Sequence, residues 1–255
     1  MVLINANLLL RASKNTNSIE YVPSPAKGVY RRMIERDGDE VARATTIVKY
    51  DKDVSFPKHV HGGGEEFFVL EDLENEDSGS FIDELMEYKT GYYVRHPINS
   101  GHAPYTSKDK GCLLLVKLRQ MTDATEPVVV VDTGIYGESE ECKDYDASIQ
   151  YKKGVWEQQA DKGRSIMHLF TNESTKERVT LEKWDSGFST EHFGEDGEEL
   201  FVLKGSFVET RKNDEGTYKQ NFWLRTPNTD LSQIVKRHTS EGCIVFRKTG
   251  HLNFE

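Results

Sequence analysis

The chain has 255 residues, enough for one large β domain or two smaller ones, and its 33 Lys plus Arg against 43 Asp plus Glu give a net charge of -10. No sustained basic run appears, so neither a nucleic-acid backbone nor an anionic membrane is expected as a partner. The three cysteines, Cys112, Cys142 and Cys243, form no CxxC pair, which argues against a disulfide framework or a zinc ribbon and for a reducing, cytoplasmic setting.

The opening MVLINANLLLRAS lacks a basic leader and is interrupted by Asn5 and Asn7, so a first strand is expected there and not a signal peptide. Nowhere do about 18 apolar residues run together, so no transmembrane helix is expected. Residues 44–52 (ATTIVKYDK) alternate and are β-branched, and further apolar bursts at 67–70, 92–95, 113–118 and 126–132 (EPVVVVD) also read as strands. Helical periodicity is scarce; residues 80–88 and 230–237 are the short amphipathic candidates. The charged stretch GESEECKDYDAS, residues 137–148, reads as a solvated connection.

Three blocks recur in order. GEEFFVLE (64–71) returns as GEELFVLK (197–204), VRHP (94–97) as LRTP (224–227), and GCLLLVK (111–117) as GCIVFRK (242–248), each at a spacing of roughly 130 residues. So long a period indicates duplication of a whole domain, not a solenoid. The expected architecture is all-β with two barrels in one chain, divided as residues 1–135 and 136–255.

The first copy carries HVHGGGEEFFVLE, residues 59–71. If a strand ends at His61, His59 and His61 project to one face because side chains alternate with period two. The glycines at 62–64 permit a tight turn, and the next strand brings a carboxylate beside the imidazoles. Glu65 and Glu66 point to opposite faces, so at most one of them joins. His102, after the turn residues Pro97, Asn99 and Gly101, is the candidate for a further nitrogen. Two surface histidines at a hairpin end are the competing explanation.

These residues resemble the cupins, whose first motif is G(X)5HXH(X)3,4E(X)6G and whose second is G(X)5PXG(X)2H(X)3N. His59, His61 and Glu65 match the first; Gly91, Pro97 and His102 match the second. Asp53, Asp72, Asn99 and Thr106 replace the opening glycine, the closing glycine, the turn glycine and the final asparagine, and none of the four is a ligand position. The spelling HGGGEEFFVLE, with PSPAKGVYRRMIERDGDEVARATTIVKYD upstream (23–51) and GHAPYTSKDKGCLLLVKLRQ downstream (101–120), looks most like the ChrR-like branch. That branch supplies the sensory half of some anti-sigma factors and also stand-alone bicupins. The likeness is close over residues 21–120 and looser in the second copy.

The resemblance implies two tandem jelly-roll-like cupin β-barrels, with one divalent metal held by His59, His61, Glu65 and His102. Its register selects Glu65 over Glu66, leaving Glu66 as an outward-facing neighbour. Imidazole and carboxylate suit zinc or iron first, with manganese or nickel as alternatives. In the second copy Glu198 survives, but Glu191 and Phe193 replace the histidine pair, His192 falls between them, and Ser232 stands at the position of His102. That barrel is expected to be metal-free and to serve packing or dimerisation.

Tyr105 and His96 are the candidates for proton transfer. Cys112 and Cys243, at equivalent strand positions, are expected to be buried structural thiols. The functions in view are a metal-dependent dioxygenase acting on a small carbonyl or phenolic compound, and a non-catalytic zinc-binding sensor or small-ligand module. A sigma factor is not an expected partner, because no CxxC-bearing helical segment precedes the first copy. A homodimer is expected, formed through edge strands.

Overall fold

The apolar alternation of the strands sets two faces for each sheet, and the order in which the strands pair decides what those faces meet. The computed structural model describes residues 1–72, 79–137, 145–191, 197–211, 214–228 and 235–252. Among these, strands dominate, a single turn of 3-10 helix spans Thr16–Ser18, and no helix is long and apolar enough to cross a membrane. The chain forms two compact units, one of Met1–Ala6 with Ile19–Gly154 and one of Asn7–Ser18 with Val155–Glu255.

In the first unit a large sheet runs in the order Leu3–Ile4, Val29–Gly38, Ala42–Tyr50, Cys112–Leu118, Glu65–Leu70, Tyr92–His96, Val128–Asp132 and Ile149–Lys153. All its neighbours are antiparallel except the last pair, which is parallel. Two small sheets complete the unit: His59–His61 with Ser100–His102, and Tyr105–Thr106 with Phe81–Ile82 and Glu87–Tyr88. Phe67, Val69, Tyr92, Val94, Leu114 and Val116 from the large sheet pack against Phe81, Met86 and Tyr88 in one core. That is the two-layer, jelly-roll-like arrangement expected of a cupin barrel.

Residues 80–88 form a hairpin in place of the expected helix. The Asp83 carboxylate accepts the amides of Leu85 (2.9 Å) and Met86 (3.3 Å), which makes a turn, and Phe81 and Tyr88 enter the core from its two short strands. An aspartate that captures nearby amides competes with the helical hydrogen-bond ladder. Of the second helical candidate, residues 230–234 lie outside the described residues, and Lys236–His238 is a strand.

The second unit repeats the plan with Glu157–Gln158, Arg164–Asn172, Glu177–Trp184, Cys243–Thr249, Glu198–Arg211 and Phe222–Thr226 in order. Its last neighbour is Ala12–Asn15, which pairs antiparallel with Phe222–Thr226. The division at residues 135 and 136 follows the sequence repeat. By contact, Ile149–Lys153 goes with the first unit and Ala12–Asn15 with the second.

Cys112 and Cys243 open equivalent strands; both are buried and unpaired, and burial pushes the Cys243 thiol up to about 12. A thiol held protonated in this way is a poor nucleophile. Cys142 lies outside the described residues.

Candidate metal centre

Strand periodicity places His59 and His61 on one face and sends Val60, 64% exposed, to the other. The neighbouring strand runs antiparallel with His102 directly opposite His59 and Ser100 opposite His61. Two positions with positive φ shape the approach. Gly64 (φ +75) follows the turn closed by its amide on His61 O, and a Cβ there would lie 2.2 Å from Met121 Sδ. Asn99 (φ 65) donates its amide to His61 O at 2.9 Å. Asn99 and Asp53 (φ 57), two of the departures from the cupin pattern, both keep a left-handed backbone that glycine adopts freely.

Ligand atoms of His59, His61 and His102 lie within 4.8 Å of one another. His61 Nε2 and His102 Nε2 face each other at 3.1 Å, and Glu65 Oε2 stands 3.5 Å from each. Donors sharing one ion at about 2.0–2.2 Å are themselves about 3 Å apart, so these separations fit a shared cation. Glu65 Oε2 is buried with no hydrogen-bond partner, a state that leaves its lone pairs available to an ion. The structure thus brings together the four residues expected to ligate.

Outer partners orient two of the rings. His59 Nδ1 donates to Pro57 O at 3.0 Å, and His102 Nδ1 donates to Asp83 Oδ2 at 3.0 Å. Asp83 escaped sequence reasoning because it lies in the segment read as helix. The usable signal was the pair Phe81 and Asp83, two residues apart and both facing inward.

His96 is buried, with its ring centroid 4.8 Å from that of His102 and its Nε2 3.6 Å from Asp83 Oδ2. It is the cross-strand partner of Glu65, so the two side chains share the inner face. Tyr105 is not brought to the cluster. It stands 46% exposed on a two-residue strand whose neighbour Thr106 is the buried one.

Electrostatics divide the group. Burial works against the charge on Glu65, but the surrounding imidazoles outweigh it and hold the carboxyl below its usual range. Burial lowers His61 despite Glu65, whereas for His102 the same burial is overcome by Asp83 and Glu65, and its value rises. Burial takes His96 down to about 4, so its imidazole is neutral at pH 7. A histidine with a lowered folded value takes up its proton first in the unfolded chain. In chelator-treated protein this contribution to stability is intact above about pH 6.5 and is lost as pH falls toward 4. His96→Gln is expected to remove up to about 3 kcal/mol of stability change between those limits. Urea midpoints at pH 7 and pH 4 check this, and identical pH dependence in both proteins would refute it.

Glu66 keeps the outward-facing register expected of it, but that face is not open to solvent. It does face away from Glu65, yet it is buried, accepting from Tyr93 Oη at 2.6 Å and pairing with Arg95 at 3.5 Å. The second unit repeats this layer: Trp223 Nε1 donates to Glu199 at 2.6 Å, and Arg225 is the cross-strand partner of Glu199 as Arg95 is of Glu66.

The inner face of the second unit does not repeat. Glu198, the counterpart of Glu65, pairs with Arg237 and with Arg247 (2.9 Å), and these also hold Glu209 and Glu182, each at 2.9 Å. Guanidinium groups occupy its lone pairs. Glu191 pairs with Lys236 at 2.6 Å; His192, Phe193 and Ser232 lie outside the described residues.

A family model described as the ChrR Cupin-like domain matches residues 11–122 and again 144–253. Among solved structures, protein Ylba from E. coli is similar at TM-score 0.63 and 9% identity, covering 100% of this chain and 96% of that one. Salicylate 1,2-dioxygenase from Pseudoaminobacter salicylatoxidans is similar at TM-score 0.61 and 10% identity, covering 96% and 82%. A cupin 2 conserved barrel domain protein from Leptotrichia buccalis is similar at TM-score 0.54 and 12% identity, covering 93% and 95%. At such identities the likeness is one of fold. No curated protein matches significantly.

Proposed function

The chain belongs to the ChrR cupin-like family, as a bicupin, and from that premise we propose a metal-dependent dioxygenase acting on a small carbonyl or phenolic compound. The observation that carries the reading is the convergence of three imidazoles and an unpartnered carboxylate oxygen in the first barrel. In this reading His59, His61, Glu65 and His102 hold one divalent ion, with iron the metal for the oxygenase and zinc, manganese or nickel the alternatives. The ion supplies Lewis acidity and, as iron, access to dioxygen chemistry.

The chain's own residues do the rest. Phe56, Phe67 and Phe81 lie beside His59, His96 and His102, with ring centroids 5.7 to 5.9 Å apart, so the aromatic core backs the imidazoles. His96, buried beside Glu65 with no hydrogen-bond partner at its Nε2, is the candidate for proton transfer nearest the cluster. The salicylate 1,2-dioxygenase likeness supports the choice of reaction class. The proposed assembly is a cytoplasmic homodimer, with no sigma factor as partner.

Metal analysis of tag-free protein purified without added metal, followed by oxygen-electrode assays of the iron(II)-loaded form with aromatic ketones, diketones and hydroxybenzoates, tests the proposal. Oxygen uptake stoichiometric with substrate loss is expected. Tightly held zinc with no uptake in the iron-loaded form would favour a non-catalytic zinc-binding sensor or small-ligand module.

A further inference from the structure

Three rings converge in the first barrel, but their outer attachments differ. His59 is tied to a backbone carbonyl, Pro57 O, through an exposed hydrogen bond. The outer ring nitrogen of His102 meets a carboxylate that is itself fully buried, at 3.0 Å. That carboxylate is immobilised. Its Oδ1 accepts from the Leu85 amide (2.9 Å), the Met86 amide (3.3 Å) and Tyr88 Oη (3.1 Å), all within the hairpin that Asp83 closes.

A carboxylate held by donors can only accept, so His102 Nδ1 must carry the hydrogen of the remaining contact. The lone pair of the neutral ring then sits on Nε2, the atom that faces His61 Nε2 at 3.1 Å and Glu65 Oε2 at 3.5 Å. The same Asp83 oxygen lies 3.6 Å from His96 Nε2, so one fixed charge stands between the two buried imidazoles.

We propose that Asp83 is a positioning residue that fixes the tautomer and ring orientation of His102 and thereby sets how tightly the first barrel holds its ion. This rests on the reading that His102 is a ligand. Hydrogen bonding of a ligating imidazole to a carboxylate raises its basicity, and the loss of such a partner weakens metal affinity by about tenfold to a hundredfold.

Zinc affinity of the full-length protein, measured by competition with a chromophoric chelator, is expected to fall by about tenfold to a hundredfold in Asp83→Leu. A smaller loss is expected in Asp83→Asn, whose amide oxygen still accepts from Nδ1. The visible bands of the cobalt(II)-loaded protein should shift in Asp83→Leu and return toward wild type in Asp83→Asn. A second measurement needs no variant. Long-range proton–nitrogen correlation spectra of the zinc-loaded wild type should show His102 protonated at Nδ1 and metal-bound at Nε2, and this decides the matter if Asp83→Leu does not fold. Wild-type zinc affinity in Asp83→Leu, or metal bound through Nδ1 of His102, overturns the proposal while leaving the metal reading standing. A wild-type protein that binds no zinc, cobalt or iron in the same titrations overturns both.

Discussion

Alanine at His61 or at His102 is expected to abolish retained metal, taking the protein from about one divalent ion per chain to none, with affinity falling beyond the hundredfold typical of outer-sphere changes. The two variants should differ in a second respect. His61 is 12% exposed at its side chain, and its removal leaves Glu65 with other imidazoles nearby. His102 is buried and holds Asp83, so His102→Ala strands a buried carboxylate that has lost one of its donors. That costs about 1–3 kcal/mol in the metal-free protein. Metal content by elemental analysis and urea unfolding of the chelator-treated proteins separate ligation from stability. Retention of one equivalent in either variant would refute the four-ligand assignment. Two equivalents in wild type would refute a metal-free second barrel.

Glu198→Ala is expected to destabilise the second unit by about 3–5 kcal/mol, because it removes the charge that lies between the buried Arg237 and the partly exposed Arg247. The first unit's metal content should not change. These guanidinium groups overcome the burial penalty and hold the Glu198 carboxyl far below the usual carboxylate range. A depressed acid contributes stability that is present above its unfolded value, near 4.3, and is lost as pH falls below it toward the folded value. The acid limb of the unfolding profile should therefore flatten in Glu198→Ala. Denaturant unfolding from pH 7 to pH 2, followed by tryptophan fluorescence from Trp184 and Trp223, measures both effects. A loss under about 1 kcal/mol would show that the ion network is not supporting the barrel.

The contrast between Glu65 and Glu198 explains how one duplicated scaffold yields two interiors. In each unit the strand beginning with the glutamate pairs with the strand beginning with a cysteine, and the inward carboxylate stands at the first residue of its strand. Such a buried charge needs a partner. The first unit offers imidazoles and an ion-sized gap among them; the second offers Arg237 and Arg247. Neither arginine lies in a segment that the sequence pattern marks as functional.

The sequence by itself determined the duplication, the strand-rich character, and the grouping of His59, His61, Glu65 and His102. Local rules carry part of this, since period-two alternation puts His59 beside His61 and glycine frees the turn at 64, while the choice of Glu65 over Glu66 follows from the match to the cupin motif. Only the tertiary structure decided that Asp83 meets His102, that His96 faces inward beside Glu65, and that Glu66 is buried. It also decided that residues 7–18 pair with the second unit and that guanidinium groups enclose Glu198. Each of these depends on which strand lies next to which across tens to hundreds of residues. Alternation tells a side chain which face it takes, but the burial and charge it meets there are set by strand order and by what packs over that face.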